Sequence, residues 1–230
     1  MATKPRRFNP SFYYHIYNRG VDGRNLFNSD KDYQRFLDTV GFYLHNQTIS
    51  YAQFQELNAQ ARTAYIQLNP KGLRTLRVRM LAYCIMPNHF HLLIKPTESA
   101  NLTQFVSDIT NSYTKYFNIK NGRVGRFVQG TFKSKEIADE PSLLQVSRYI
   151  HLNPISSSKT NPKSWLKKPD DYPYSSYAAW VGKSHDSLID HDELKLWLRS
   201  SRGAEKYRRF VEAKINNNPA LGIENLVLEN

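Results

Sequence analysis

The stretch RVRMLAYCIMPNHFHLLIKP, residues 77–96, decides how the chain is expected to fold. Two apolar runs are separated by Pro87 and Asn88, a pair of residues typical of a turn. Both runs are rich in strand-forming residues, so the stretch predicts an antiparallel hairpin. Because successive strand side chains alternate between faces, His89 and His91 are expected on the same face. The hairpin therefore predicts two imidazole rings that converge on one side of a sheet.

The order of elements around this hairpin predicts an α+β fold. The patterns indicate a strand at 12–18, a helix at 30–46, the hairpin, a helix at 101–122, a strand at 131–138 and a helix that begins at Pro141 and stops before Pro154. A β-α-β-β-α-β order is typical of the ferredoxin-like arrangement, with an antiparallel sheet, helices on one side and the other face available. We expect this core to carry a C-terminal helical extension.

The chain is expected to divide near residue 160. Residues 1–160 are predicted to form the main domain, with an insertion at about 48–76 that holds one or two short helices and a Pro-Lys-Gly turn. Residues 161–230 include an amphipathic helical pattern and are predicted to form the extension.

Charge predicts a polyanionic partner. The 230 residues include 32 Lys and Arg against 20 Asp and Glu, which gives a formal net charge of +12. Such a balance favours nucleic acid ahead of a membrane surface. The plainer alternative is a soluble basic protein, because net charge says nothing about fold.

Cysteine usage and hydropathy exclude several classes of protein. The single cysteine, Cys84, excludes an intramolecular disulfide and a multi-cysteine zinc site. The first ten residues, MATKPRRFNP, lack the apolar centre of a secretory signal, and no stretch is apolar for the length of a membrane span. We therefore expect a cytoplasmic protein.

A metal site built on His89 and His91 would need a third ligand. The helix SRYIHLNP, residues 147–154, offers Asn153, which lies four residues after Tyr149 and so on the same helix face. Nitrogen and oxygen ligands together suit Mg²⁺ or Mn²⁺ when a substrate phosphate completes the coordination. A tyrosine hydroxyl, whose ordinary pKa is about 10, needs a nearby cation or base to act as a nucleophile, and Lys133 could supply that positive charge. Lys133 is also expected to contact a phosphate, and the alternative is a solvated surface lysine.

Other side chains are weaker candidates. Tyr113 and Tyr116 are rival nucleophiles, but a tyrosine at helical spacing is usually a packing residue. His15 is interpreted as an ordinary strand histidine, and His151 lies on a different helix face from Tyr149.

Four arginines are expected to contact a polyanion or solvent. Three of them stand next to glycines in loops, where side chains reach phosphate easily: Arg19, Arg24 and Arg126. Arg148 is adjacent to Tyr149, but neighbouring helix residues point apart, so it is expected to contact a nucleic-acid backbone or solvent.

Several motifs together resemble a known family. NHFHLL resembles the HUH signature, in which a hydrophobic residue separates two histidines. YHIYNRG, AYCIMPNHFHLLIKP, SYTKYFN, VQGTFKS, RYIHLNP and DYPYSSY occur in the order found in REP-associated tyrosine transposases, the IS200-like members of the HUH single-tyrosine superfamily. The resemblance extends over roughly residues 8–180.

The resemblance implies a ferredoxin-like nuclease domain that cuts single-stranded DNA near hairpins and transfers the strand, using a divalent metal. The sequence leaves both a monomer and a homodimer open, and we expect a cytoplasmic protein associated with the nucleoid. It implies that Tyr149 is the nucleophile and that His89, His91 and Asn153 are the metal ligands, where other members use glutamine at the last position. The tyrosine follows the histidine pair and is single on its helix, which favours a transposase over a relaxase or a replication initiator.

Two alternatives belong to other classes. A non-catalytic ferredoxin-like module would bind nucleic acid through aromatic side chains on an open sheet face and would be indifferent to Tyr149. A zinc hydrolase or deaminase is disfavoured because the His-x-Glu and Pro-Cys-x-x-Cys patterns of the deaminases are absent.

Overall fold

The predicted hairpin lies at one side of a four-stranded antiparallel sheet. A computed structural model describes residues 6–68, 75–99, 101–158, 168–200 and 203–215. Strand β2 (Val78–Met86) and strand β3 (His89–Pro96) pair antiparallel, with Met86 opposite His89 across the turn. The hairpin is therefore confirmed.

The remaining strands and the helices complete the predicted order. Strand β1 (Tyr13–Arg19) and strand β4 (Lys133–Ile137) join the sheet, whose strand order is β2-β3-β1-β4 with all neighbours antiparallel. The helices, in chain order, are α1 (Asp30–Tyr43), α2 (Tyr51–Glu56), α3 (Ala59–Leu68), α4 (Asn101–Lys120), α5 (Glu140–Ser158), α6 (Tyr177–Trp180), α7 (His191–Ser200) and α8 (Ala204–Glu212). The β-α-β-β-α-β core of the α+β fold is confirmed.

Helices α1 and α4 pack on one face of the sheet. Phe36 of α1 contacts Phe90 of β3 at a ring-centroid distance of 5.3 Å and Tyr113 of α4 at the same distance. These side chains are buried, and fully burying a large apolar side chain contributes about 1.5–3 kcal/mol each. The alternation of β3 thus directs Phe90 into this core and the two histidines to the opposite face.

The opposite face is not fully available, which corrects one expectation. Helix α5 packs over β2 and β3, so the half of the sheet that carries His89 and His91 is covered. The element order alone places α1 and α4, because they connect strands, whereas α5 follows the last strand and can pack wherever an apolar surface remains.

Helix α5 also extends past Pro154, although the pattern predicted that it ends before this residue. A proline inside a helix removes the hydrogen bond to the carbonyl four residues earlier and costs about 3 kcal/mol. Leu152 and Ile155 are buried on either side of Pro154, and their packing offsets that local cost.

The extension covers the edge of strand β2. The backbone of Ile85 donates to Tyr174 at 2.9 Å, and the backbone of Ser176 donates to Tyr83 at 3.1 Å. The indole of Trp180 donates to the carbonyl of Leu81 at 2.8 Å. The DYPYSSY motif therefore pairs with an edge that would otherwise expose its hydrogen-bonding groups.

The predicted domain limits stay a prediction. The boundary at 160 and 161 and the Pro-Lys-Gly turn at 70–72 both lie outside the described residues. Helices α2 and α3 fall within the expected insertion at 48–76. No helix in the described ranges is both long and apolar enough to cross a membrane.

His151 joins α5 to the extension. Its Nδ1 lies 2.7 Å from the hydroxyl of Tyr207 in α8, and its Nε2 lies 3.0 Å from the hydroxyl of Ser176. The Tyr207 hydroxyl in turn donates to Ser147 at 3.0 Å. A neutral ring satisfies these bonds, with Nδ1 donating and Nε2 accepting. Burial lowers the pKa of His151 to about 3.

This lowered pKa predicts a loss of stability in mild acid. The unfolded chain binds a proton at His151 below about pH 6.5, whereas the folded chain does not bind it until about pH 3. The free energy of unfolding should therefore fall as pH drops from 6.5, by up to about 1.4 kcal/mol per pH unit from this group. Urea unfolding between pH 7 and 4.5 measures this, and His151→Gln should show a shallower fall. Parallel pH profiles of the free energy of unfolding for the two proteins would contradict a lowered pKa for His151.

Candidate active site

The alternation of β3 directs His89 and His91 to the same face, with their rings edge to face at a centroid distance of 4.9 Å. His91 is fully buried and His89 is partly exposed. In the sheet, Tyr17 of β1 lies opposite His91 and Arg19 lies opposite His89. The pair thus lies at the boundary between the protein interior and the solvent-exposed surface.

Helix α5 brings Asn153 and Tyr149 to this pair. The Asn153 side chain lies between the two imidazoles, with Oδ1 3.0 Å from Nε2 of His89 and Nδ2 3.1 Å from Nε2 of His91. The Tyr149 ring meets His91 nearly at a right angle, at a centroid distance of 5.4 Å. The four-residue spacing therefore places Tyr149 and Asn153 on one helix face, against the histidines, as helix geometry predicts.

Two further side chains hold the imidazoles from behind. Nδ1 of His89 lies 2.7 Å from Oδ1 of Asn88, whose Nδ2 donates to the carbonyl of Gly23 at 3.3 Å. Nδ1 of His91 lies 3.0 Å from Nε2 of His15. Both Nδ1 atoms are thus engaged, and both Nε2 atoms are directed at Asn153. Outer hydrogen bonds of this kind orient metal-binding histidines.

This donor set fits a divalent cation. Oδ1 of Asn88 accepts, so Nδ1 of a neutral His89 carries the proton and its Nε2 carries a lone pair. With the Asn153 amide in this orientation, the lone pair of His89 Nε2 faces Oδ1 of Asn153 at 3.0 Å. Neither atom has a proton to donate, and a cation between them would interact favourably with both. No group of three His, Cys, Asp or Glu side chains in the described ranges could hold a metal, and the amide oxygen of Asn153 is the oxygen that faces Nε2 of His89.

Arg19 and Lys133 lie beside the histidines. Lys133 is opposite Tyr17 across β1 and β4, and its Nζ is 5.9 Å from the centre of the Tyr17 ring. That ring is 6.0 Å from the His91 ring. Both cations are therefore on the face of the sheet that carries the candidate site.

Arg24 and Arg126 lie on neighbouring turns outside the strands. Arg24 forms an exposed ion pair with Asp22 at 3.3 Å, and Arg126 is exposed. The two turns are joined because the backbone of Val21 donates to the carbonyl of Phe127 at 3.1 Å. An exposed pair of this kind contributes little to stability, so Arg24 can exchange Asp22 for a phosphate at little cost.

Arg148 points away from the histidines. Its guanidinium lies 4.2 Å from the centre of the Phe210 ring in α8 and donates to Gln145. Partial burial lowers the pKa of Arg148 below its ordinary value. The structure thus shows a packing contact for Arg148, and its contact with DNA stays a prediction.

The rival tyrosines lie among other residues. The Tyr113 hydroxyl donates to the carbonyl of Leu26 at 2.9 Å, and burial raises the pKa of Tyr113 well above its ordinary value. The Tyr116 hydroxyl donates to Asp32 at 3.0 Å, in the packing between α4 and α1. Neither is in contact with His89 or His91 through the described hydrogen bonds or ring contacts.

The sequence interpretation missed His15 and Asn88 as partners of the histidines. Asn88 was assigned only to the turn, and His15 only to an ordinary strand position. The available signals were the adjacency of Asn88 to His89 and the position of His15 on a strand of the same core. The pairing register that joins His15 to His91 is not contained in either local pattern.

Comparisons with known proteins bear on the family. Residues 40–153, just under half of the chain, match the model of a family described as "Transposase IS200 like". The predicted family resemblance is confirmed. This matched segment includes both histidines, Tyr149 and Asn153. No curated protein matches the chain.

A solved structure shares the fold of this chain. It is described as "Structure of the REP associates tyrosine transposase bound to a REP hairpin". The TM-score is 0.51 at 14% sequence identity, and the alignment covers 81% of this chain and 93% of that chain. At this identity the similarity demonstrates the α+β architecture.

The placement of Arg148 predicts a role in stability. Arg148→Ala removes the contact with the Phe210 ring and the packing of the arginine stem, so the free energy of unfolding should fall by about 1 kcal/mol. Urea denaturation measures the change. Arg126→Ala, in an exposed loop, is the matched control and should leave stability unchanged. Equal stabilities for the two variants would contradict the packing role.

Proposed function

We propose that the protein is a metal-dependent endonuclease and strand transferase that acts on single-stranded DNA near hairpin sequences. Tyr149 is the proposed nucleophile, and the intermediate is a covalent 5′-phosphotyrosine. The proposal rests on one observation: Tyr149 and Asn153 of α5 contact the histidine pair of β3, although the helix and the strand are distant in sequence. The family match supports it, and the structural relative is described as bound to a REP hairpin.

The proposed reaction balances without an external energy source. The Tyr149 oxygen loses its proton and forms a bond to the phosphorus, while the bond from phosphorus to the 3′ oxygen breaks. The 3′ oxygen takes up a proton and leaves as a free hydroxyl, and the 5′ phosphate stays on the tyrosine. Because one phosphodiester replaces another, a 3′ hydroxyl can attack the phosphotyrosine and rejoin a strand.

His89, His91 and Asn153 would hold Mg²⁺ or Mn²⁺ through two Nε2 atoms and one amide oxygen. When bound, the ion would supply Lewis-acid polarisation of a non-bridging phosphate oxygen. The protein itself contributes orientation: Asn88 and His15 hold the two rings, and α5 holds Tyr149 against His91.

The charge of the protein supports a DNA substrate. The net charge of +12 attracts a polyanion, and Arg19 and Lys133 lie beside the histidines where the reacting phosphate would bind. Arg24, Arg126 and Arg148 are proposed to contact the DNA backbone farther from this point. A module that stacks bases on an open sheet is disfavoured, because α5 covers the sheet over β2 and β3.

The covalent step can be tested directly. The protein is incubated with Mg²⁺ or Mn²⁺ and a single strand that contains a hairpin and carries an internal phosphate label. The products are then separated on a denaturing gel. We expect a protein-linked band that disappears in Tyr149→Phe because the attacking oxygen is absent. Tyr116→Phe is the matched control and should keep the band. A band that persists in Tyr149→Phe, or tight hairpin binding with no band in the unaltered protein, would refute the proposal.

The basic side chains can be tested through the salt dependence of binding. Each phosphate contact to a single strand contributes about 0.7 to the slope of log affinity against log salt concentration. Arg126→Ala and Lys133→Ala should each lower affinity for every strand tested and reduce the slope by about that amount. Fluorescence anisotropy across a potassium chloride series measures it, with Arg199→Ala on α7 as the control. Slopes equal to that of the control would exclude these two contacts.

A further inference from the structure

His15 contacts both a candidate metal ligand and the candidate nucleophile. It lies on β1 and is fully buried. Its Nε2 is 3.0 Å from Nδ1 of His91, and the two rings stack at a centroid distance of 5.1 Å and an interplanar angle of 25°. The edge of the Tyr149 ring meets His15 at 6.0 Å and 72°. One buried imidazole therefore touches the two side chains whose relative position the chemistry requires.

We propose that His15 is a positioning residue that fixes the tautomer of His91 and the position of Tyr149. The inference rests on the proposed function and goes beyond it, because nothing in the family signature assigns a role to this histidine. His15 binds no metal and donates nothing to the substrate. It acts through His91 and Tyr149.

The tautomer follows from the contacts of His91. For Nε2 of His91 to present a lone pair towards Asn153 and a cation, its proton must sit on Nδ1. The atom opposite Nδ1 is Nε2 of His15, so this nitrogen is the acceptor and the His15 proton lies on its own Nδ1. An acceptor at this position stabilises the binding tautomer and stops the ring from rotating.

The chemistry of an imidazole suits this position better than that of a carboxylate. Carboxylates and backbone carbonyls commonly accept from metal-binding histidines. A carboxylate here would add a buried negative charge beside the site of an attacking tyrosine oxygen and a DNA phosphate, and like charges in a poorly solvated site repel strongly. A neutral imidazole accepts the same hydrogen bond without that charge.

Packing alone does not account for a histidine at this position. The face of β1 next to His15 is aromatic, with the Tyr17 ring stacked on it at 5.0 Å. A phenyl ring would fill the same space without the cost of burying polar nitrogens, a cost that is offset only where they are hydrogen-bonded. The bond to His91 provides that compensation at Nε2 of His15 only, since no hydrogen bond to its buried Nδ1 is described.

The experiment compares two His15 variants in the full chain. His15→Phe keeps the ring shape and removes the acceptor, whereas His15→Gln places an amide oxygen where Nε2 lies. Ile16→Ala is the control, because this neighbour is equally buried on the opposite face of β1 and its loss affects stability alone. Calorimetric titration with Mn²⁺ in the absence of DNA gives the metal affinity. Nitrogen-15 NMR of the histidine rings gives the His91 tautomer without metal.

The expected results separate positioning from folding. His15→Phe should weaken Mn²⁺ binding by about 10- to 100-fold and leave His91 in mixed tautomers, while His15→Gln should recover most of the affinity. In cleavage assays, kcat should fall in His15→Phe with little change in DNA affinity. Ile16→Ala should lower the melting temperature and keep the Mn²⁺ affinity of the unaltered protein.

Two results would overturn the inference. One is a His91 ring protonated on Nε2 in the unaltered protein, and the other is unaltered Mn²⁺ affinity in His15→Phe. Failure of the proposed function has a different signature, since it would appear as cleavage that survives in Tyr149→Phe whatever the His15 variants do.

Discussion

The rest of the site depends on how α5 crosses the sheet. Its residues 149 and 153 share one face, and that face must lie on the side of β3 that carries His89 and His91. The opposite side of the helix carries His151, which is half a turn from Tyr149 and bonds to Tyr207 and Ser176. Helix α5 is thus held from two directions, by the histidines of the sheet and by the extension.

This arrangement gives the C-terminal extension a structural role that its sequence does not predict. The DYPYSSY segment hydrogen-bonds to the edge of β2, and α8 packs against α5 through Tyr207 and the Phe210 contact with Arg148. Both contacts restrain the elements that carry the site. Under the proposed function, α5 would deliver a nucleophile to within bonding distance of a phosphate, and such restraint would matter because small displacements cost large factors in rate.

Local patterns predicted the parts of the site that lie within one element. Alternation in HFHLL places His89 and His91 together, and helical spacing places Tyr149 with Asn153. The motif order predicted the resemblance that the family match confirms. His15 was missed because its partner His91 is far away in the chain, and the register of β1 against β3 is set by long-range packing. The prediction that α5 stops before Pro154 was wrong because burial of Leu152 and Ile155 outweighs the tendency of proline to end a helix.

In the proposed function, the two imidazoles and the Asn153 amide form one cation site that faces Tyr149. Crystals of the Tyr149→Phe protein with a hairpin strand and Mn²⁺, measured at the manganese absorption edge, test it most directly. We expect one strong anomalous peak at coordinating distance from Nε2 of His89, Nε2 of His91 and Oδ1 of Asn153, with the residue 149 ring beside it. A fully occupied manganese site elsewhere, with no peak between these three side chains, would contradict it.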